Sequence, residues 1–260
     1  MPGVVSRLSR WSETTRPTRS LKRGLRRTPG VLPLVRRFED ERRVRLGERR
    51  LRRLEREGDV DQRARLRWRT APPDAGLTWG LELSGDTLVD AAQAHGALGP
   101  DRALLEVGPG YGRLIRSLLN RGVGFSHYTA LDISEPNVRS LRRDFEGERV
   151  RIVHGDVTTV SLDSPVDSVL SFLTFKHIYP SFEGALANLQ PQLSPGGMVM
   201  FDLIEGRHRY FEADGVTFIR EYTRDEAEAI LRRTSLERIA FDRLEHAPGH
   251  VRLLVVARKP

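Results

Sequence analysis

The stretch Ala103 to Gly112, ALLEVGPGYG, constrains the fold of this chain more than any other. Ala103 to Val107 is a short apolar run, as expected of a buried parallel strand, and Glu106 is its one charge. Gly108, Gly110 and Gly112 follow, separated by Pro109 and Tyr111, and a helical pattern begins near Leu114. A strand, a glycine turn and a helix start make a ligand pocket. Glycine lets the backbone approach a ligand that a side chain would repel, and the helix start offers free N–H groups and a positive dipole end. The spacing is Gly-x-Gly-x-Gly, not the Gly-x-Gly-x-x-Gly that brings a backbone close to a dinucleotide pyrophosphate. A carboxylate inside an apolar strand is costly unless partnered, so Glu106 is expected to have a ligand or protein partner.

A regular alternation follows. Tyr128 to Leu131 reads as a second buried strand ending at Asp132, with a helix over 135–146 behind it. Val150 to Val153 is a third strand, followed by Gly155-Asp156. An acidic residue after the second strand suits a ribose diol, and one after the third suits an adenine edge. Val166 to Phe172 is the fourth strand, Ser181 to Leu193 a helix, and Ser194 to Gly197 a stop and turn. Met198 to Phe201 is the fifth strand and ends at Asp202. Strands separated by helices imply a parallel sheet covered on both faces. Tyr210 to Tyr222 suggests a small hairpin around Asp214-Gly215, and Thr223 with Glu226 forms the capping box of a helix. Glu237–Leu244 and Val251–Ala257 have no helix between them and must pair antiparallel, because a parallel return needs a crossover.

These residues together resemble the class I S-adenosylmethionine-dependent methyltransferases, from about Leu77 to the C-terminus. The resemblance implies an α/β, Rossmann-like methyltransferase fold: a mostly parallel, seven-stranded twisted sheet with a C-terminal antiparallel hairpin and helices on both faces. It implies S-adenosylmethionine as cofactor. Glu106, Gly108, Gly110 and Gly112 would hold the methionine portion, Asp132 the ribose hydroxyls, and Asp156 with Val157 the adenine. Trp79 and Glu82 fall in a segment that covers the cleft in this family; gap filling by Trp79 is the alternative.

In open α/β sheets ligands lie beyond the carboxyl ends of the strands, which directs attention to the loop Leu173 to Pro180. In the resembled family this loop lies beside the transferred methyl. His177 is the candidate general base, since an imidazole of ordinary pKa is largely neutral at pH 7; the alternative is a packed histidine with one hydrogen bond. Tyr179 is a candidate for orienting the acceptor, and Lys176 for attracting an anionic one, unless both lie on the surface. Asp202 is a third catalytic candidate at the end of its strand. No spacing of His and carboxylates resembles a metal site, and none is expected. The loop lacks the Asn-Pro-Pro-Tyr type of motif found in many amino-methylating relatives.

Charge divides the chain. Residues 1–70 carry 22 Lys+Arg against 9 Asp+Glu, whereas residues 71–260 carry 21 against 26. The basic balance therefore belongs to the N-terminal part, and a nucleic-acid reading rests on it alone. Residues 1–33 read as a disordered basic tail, 34–76 as an Arg-rich helical extension and connector, and 77–260 as the methyltransferase domain. Val35, Phe38, Leu46, Leu51 and Leu54 form an imperfect apolar face on a helix from Leu34 to about Glu57. There is no cysteine, no secretory signal and no membrane-length apolar run, which suits the cytoplasm. The leading functional reading is transfer of a methyl group to a hydroxyl of a small molecule, a sugar or other natural product. A nucleic-acid methyltransferase gripping its substrate through residues 1–70, and a cofactor-binding regulator without catalysis, are the two other readings. Monomer and homodimer are both compatible with the sequence.

Overall fold

A computed structural model of the chain describes residues 31–70, 83–247 and 250–260, with side chains described outside 31–37 and 246–250. Most of the 1–33 tail, the connector at 71–76, and Trp79 and Glu82 lie outside these residues. Two units are distinguished, with the boundary between Leu46 and Gly47.

Helix α1 (Val31–Glu57) runs through the boundary, and α2 (Val60–Arg69) and α3 (Gly85–Ala94) follow it. The alternation is then β1 (Ala103–Val107), α4 (Arg113–Asn120), β2 (His127–Asp132), α5 (Glu135–Phe145), β3 (Val150–His154), β4 (Val166–Ser171), α6 (Glu183–Leu189) and β5 (Leu193–Glu205). The chain closes with β6 (Arg209–Phe211), β7 (Phe218–Tyr222), α7 (Arg224–Arg233), β8 (Glu237–Ala247) and β9 (His250–Arg258).

The main sheet has the order β3-β2-β1-β4-β5-β9-β8, parallel from β3 to β5 and antiparallel at β5–β9 and β8–β9. This is the seven-stranded sheet with a terminal hairpin that the sequence implied. Two further strands, β6 and β7, form an antiparallel pair that joins the end of β5 at Ile204 and Glu205. Successive residues of the strands face opposite cores, as the pleat requires. Leu104 packs with Leu114, Leu118 and Leu141 on one face; Leu105 packs with Leu186, Leu189 and Leu231 on the other. The capping box of Thr223 and Glu226 starts α7.

Two expectations change. The fifth strand begins at Leu193 rather than Met198: Leu193 pairs with Val166 and Met198 with Ser168, so Ser194 to Gly197 bulge out of a continuous strand instead of ending the helix before it. The apolar face of α1 is shorter than its sequence pattern. Leu51 and Leu54 are buried with Phe211 and Phe218, whereas Phe38 and Leu46 are exposed. Gly47 explains where close packing starts, because a Cβ there would lie 2.3 Å from the Phe211 carbonyl oxygen. Among the described residues no helix is long and apolar enough to cross a membrane.

Candidate functional site

The chain leaves β1 toward β2 and β3, and later adds β4 and β5 on the other side of β1. That reversal opens a crevice at the strand ends. A cavity occupies it, lined by the β1 loop in the middle, the β2 and β3 loops on one side and the β4 loop on the other. Helix α2 contributes Asp61, Ala64, Arg65 and Trp68 to its wall.

Glu106 is buried at the floor, where the Tyr128 hydroxyl donates a hydrogen bond to it. Burial pushes the Glu106 carboxyl up to about 7; the Tyr128 bond and Arg113 pull it down, and Asp132 adds to the rise. Gly108 donates its N–H to the Leu131 carbonyl at 2.9 Å and has φ of +71°, and a Cβ on it would collide with Thr174. Gly110 is different. It also has positive φ, but a Cβ there would meet nothing within 4 Å, so its backbone faces open space. Gly112 does not line the cavity: it caps α4 in the left-handed conformation, and a Cβ on it would strike Phe145.

On the β2 and β3 side lie two carboxylates. Asp132 accepts hydrogen bonds from Ser134 N–H at 2.8 Å, Gly110 N–H at 3.1 Å and Asn137 Nδ2 at 3.3 Å. Burial raises its pKa to about 6 despite these donors. The Asn137 Oδ1 beside it is buried and has no hydrogen-bond partner among the described residues. Asp156 accepts from the Thr158 N–H at 2.9 Å and the Thr158 hydroxyl at 2.7 Å, and its other oxygen is ion-paired with Arg65 of α2. Arg65 also holds Asp61 at 2.9 Å, and Val157 lines the cavity next to Asp156. Sequence reasoning missed Arg65 and Asn137. The spacing of Asp61, Ala64, Arg65 and Trp68, at i, i+3, i+4 and i+7 on one helix face, was the available signal for α2.

The β4 side starts with Leu173, whose φ is +62° and whose N–H donates to Asp202. A one-turn 3-10 helix, Phe175–His177, then delivers Lys176 and His177 to the cavity. His177 Nδ1 lies 2.8 Å from the Phe218 carbonyl oxygen. A carbonyl only accepts, so Nδ1 carries the proton and Nε2 is the lone-pair nitrogen of the neutral ring. Burial, then the charge of Lys176, holds the His177 pKa well below its ordinary value. The Trp68 ring sits 4.3 Å from the imidazole, centre to centre. Lys176 is buried too, and burial followed by Arg252 lowers its ammonium pKa to about 7. Tyr179 lines the mouth, but its hydroxyl is engaged with Glu55 of α1, which Arg209 also holds at 3.0 Å.

Asp202 is not brought into the cavity. It lies inside β5 rather than at its end, is fully buried, and is ion-paired with Arg252 of β9 while accepting from Leu173 N–H. Its carboxylate holds the β4 loop in shape from behind.

The two sides differ in what they offer a ligand. Asn137 Oδ1, Asp132 and Glu106 are acceptors beside an open glycine backbone, an arrangement that suits a ligand with hydroxyl and ammonium donors. Comparison with known proteins agrees. A family profile for a methyltransferase domain matches residues 105–201. An uncharacterized methyltransferase of Mycobacterium tuberculosis is 31% identical over 120 residues, 46% of this chain and 57% of that protein, so the chain spans little more than half the length of this relative. A malonyl-[acyl-carrier protein] O-methyltransferase of Priestia megaterium is 29% identical over 99 residues, 38% of this chain and 35% of that one. The crystal structure of the 1,6-didemethyltoxoflavin N1-methyltransferase of Burkholderia thailandensis, with 1,6-didemethyltoxoflavin and S-adenosylhomocysteine bound, is 25% identical and superposes with a TM-score of 0.60 over 72% of this chain and 82% of that one. Residues 105–201 thus match a methyltransferase domain, and the fold is that of the S-adenosylmethionine-dependent methyltransferases.

Proposed function

We propose that the chain transfers a methyl group from S-adenosylmethionine to a hydroxyl of a small molecule, with sugars and other natural products as the substrate class. Glu106, Gly108, Gly110, Asp132, Asp156 and Val157 hold the cofactor on the acidic side of the cavity, and Gly112 shapes the loop without touching the cavity. Bound there, the cofactor supplies a sulfonium-activated methyl group whose bonding electrons leave with sulfur. What the protein adds is alignment, exclusion of water and a destination for the acceptor proton.

The observation that supports this reading most is the tautomer of His177. With Nδ1–H tied to Phe218, the Nε2 lone pair is the ring's proton-accepting site, and burial keeps the ring neutral. A hydroxyl at Nε2 loses its proton to that nitrogen as its oxygen takes up the methyl. Tyr179, committed to Glu55, helps close the mouth rather than moving a proton.

Arginines in the second half of α1 and on α2 favour a small molecule over nucleic acid. Arg50 donates to the Glu212 carbonyl at 2.6 Å, Arg67 to the Thr217 hydroxyl at 3.3 Å, and Arg65 is paired with Asp156. These guanidinium groups serve internal contacts. Metabolite extract and total RNA, incubated separately with methyl-labelled S-adenosylmethionine, test the proposal. Label is expected in small molecules from the extract; label entering RNA alone, or no label in either, overturns it.

A further inference from the structure

The β4 side of the cavity carries two hydrogen-bond donors that have no acceptor among the described residues. The indole Nε1–H of Trp68 is buried and has no partner among the described residues. Lys176 is 7% exposed, and its neighbours act on its ammonium only through space. Arg252 and Arg113 oppose its charge, Asp202 and Glu212 favour it, and none of these bonds to it among the described residues. Asp202, the carboxylate that would have been its natural partner, is taken by Arg252. His177, next to Lys176 in the chain and in ring contact with Trp68, is neutral, with its own N–H turned to Phe218. Both donors line the same cavity, and both contact its β4 side.

Donors without acceptors define the missing partner: it has to bring oxygen lone pairs and, facing a lysine, negative charge. We propose that this end of the cavity is an anion subsite in which Lys176 Nζ and Trp68 Nε1–H together receive a carboxylate carried by the methyl acceptor. Two donors match the two oxygens of a carboxylate. A phosphate, with greater charge and a third oxygen, needs a richer donor set than one ammonium and one indole. Leu88, Phe172 and Ile178 give the cavity apolar lining, which suits a flat or hydrocarbon body behind that single charged group. The acceptor is therefore a hydroxylated organic acid. Binding it returns an ionic partner to Lys176, which burial and Arg252 otherwise draw toward neutrality. The inference rests on the reading of the cavity as a methyl-acceptor site and goes beyond it by assigning the acceptor's charge.

The experiment uses the full chain loaded with S-adenosylhomocysteine and measures binding by calorimetry. Its probes are hydroxylated benzoates, hydroxycinnamates and short aliphatic hydroxy acids, each paired with its own primary amide. At pH 6.5 at least one acid is expected to bind about 10-fold or more tightly than its amide, with the preference shrinking by pH 8.5 as Lys176 loses its proton. Lys176→Gln is expected to abolish the preference, Lys176→Arg to keep part of it, and Trp68→Phe to weaken the acid a few-fold more than the amide. S-adenosylhomocysteine affinity certifies each variant as folded, and Lys176→Met replaces Lys176→Gln if the latter fails that check. A panel without any acid preference, or a preference that survives in the folded charge-free variant, overturns the subsite while leaving the methyltransferase reading intact. Failure of the wild-type chain to bind S-adenosylhomocysteine would instead strike that reading and the subsite with it.

Discussion

The two sides of the cavity face one another across the glycine loop and are built on opposite principles. On the β2 and β3 side, burial raises the carboxyls of Glu106 and Asp132 to about 7 and about 6. On the β4 side, the same loss of water lowers Lys176 to about 7 and His177 well below its usual value. One physical cause, removal of solvent, drives acids and bases toward neutrality in opposite directions. The acidic side is formed by residues close to β1 in sequence or in the sheet. The basic side draws on α2, the β4 loop, β7 and β9, and most of these lie outside the residues matched by the methyltransferase-domain profile. One half of the pocket is thus assembled from a continuous run of strand-and-loop units, and the other from segments far apart in sequence.

If the division is functional, the largest effect comes from His177. Replacing it with Ala or Gln should lower the rate of methyl transfer by about 10²–10⁴-fold, the usual worth of a positioned proton acceptor. Cofactor affinity, measured by calorimetry, should stay nearly constant. Because the His177 pKa lies below the ordinary histidine value, its contribution to the rate should already be complete at pH 6.5, with the rising limb at more acid pH. A variant with the parent's single-turnover rate would remove the base from the basic side.

The next effect belongs to the other side. Asp132→Ala should cost roughly 1.5–3 kcal/mol of cofactor binding, the range for a hydrogen bond to a charged group, with little change in acceptor affinity. Equal losses in both affinities would mean that the cavity does not divide as described.

Stability against pH sharpens the comparison without any ligand. Glu106 has a raised folded pKa, so its stabilisation is complete below about 4.5 and is lost as pH rises through about 7. Lys176 has a depressed folded pKa, so its stabilisation is complete above about 10.5 and is lost as pH falls through about 7. Near neutral pH and above, Glu106→Gln should raise the stability of the ligand-free protein by roughly 1–3 kcal/mol, since a pKa shift is differential free energy at 1.36 kcal/mol per unit. Lys176→Met should do the same below pH 7 and flatten the rise on the alkaline side. Denaturant titrations from pH 5 to 9 read both slopes; slopes of the same sign in the two variants would contradict the opposed design.

The smallest effect is expected at the helix that spans both sides. Arg65 pairs with Asp156 at one end of α2, and Trp68 packs on His177 toward the other. Arg65→Ala breaks a partly exposed pair, so it should cost only about 0.5–1 kcal/mol of stability. Cleavage within residues 60–69 by a protease should nevertheless quicken, since α2 loses its tie to the β3 loop. Unchanged cleavage would show that the apolar packing of Val60 and Ala64 holds the helix unaided.

What the sequence by itself determined is what short range can specify. Glu106 is followed by its glycine loop in the next few residues, and Asp132 and Asp156 each follow a recognisable strand, so the acidic side was legible from local pattern. The antiparallel ending was legible too, because two strands with no crossover have one way to pair. Tertiary structure decided the rest. Trp68, Lys176 and Arg252 become neighbours of one cavity end only when three distant segments pack together, and no local periodicity marks such a meeting. Asp202 makes the difference plain. Like Asp132 it reads as an acid after a buried apolar run, and both are deeply buried. Asp132 ends a strand between parallel neighbours and lies at the cavity edge. Asp202 continues within β5, opposite Leu254 of β9, and the antiparallel register brings Arg252, two residues away on the same face, onto its carboxylate. That register is a property of the folded sheet: it turned a catalytic candidate into an anchor and left Lys176 without its acid.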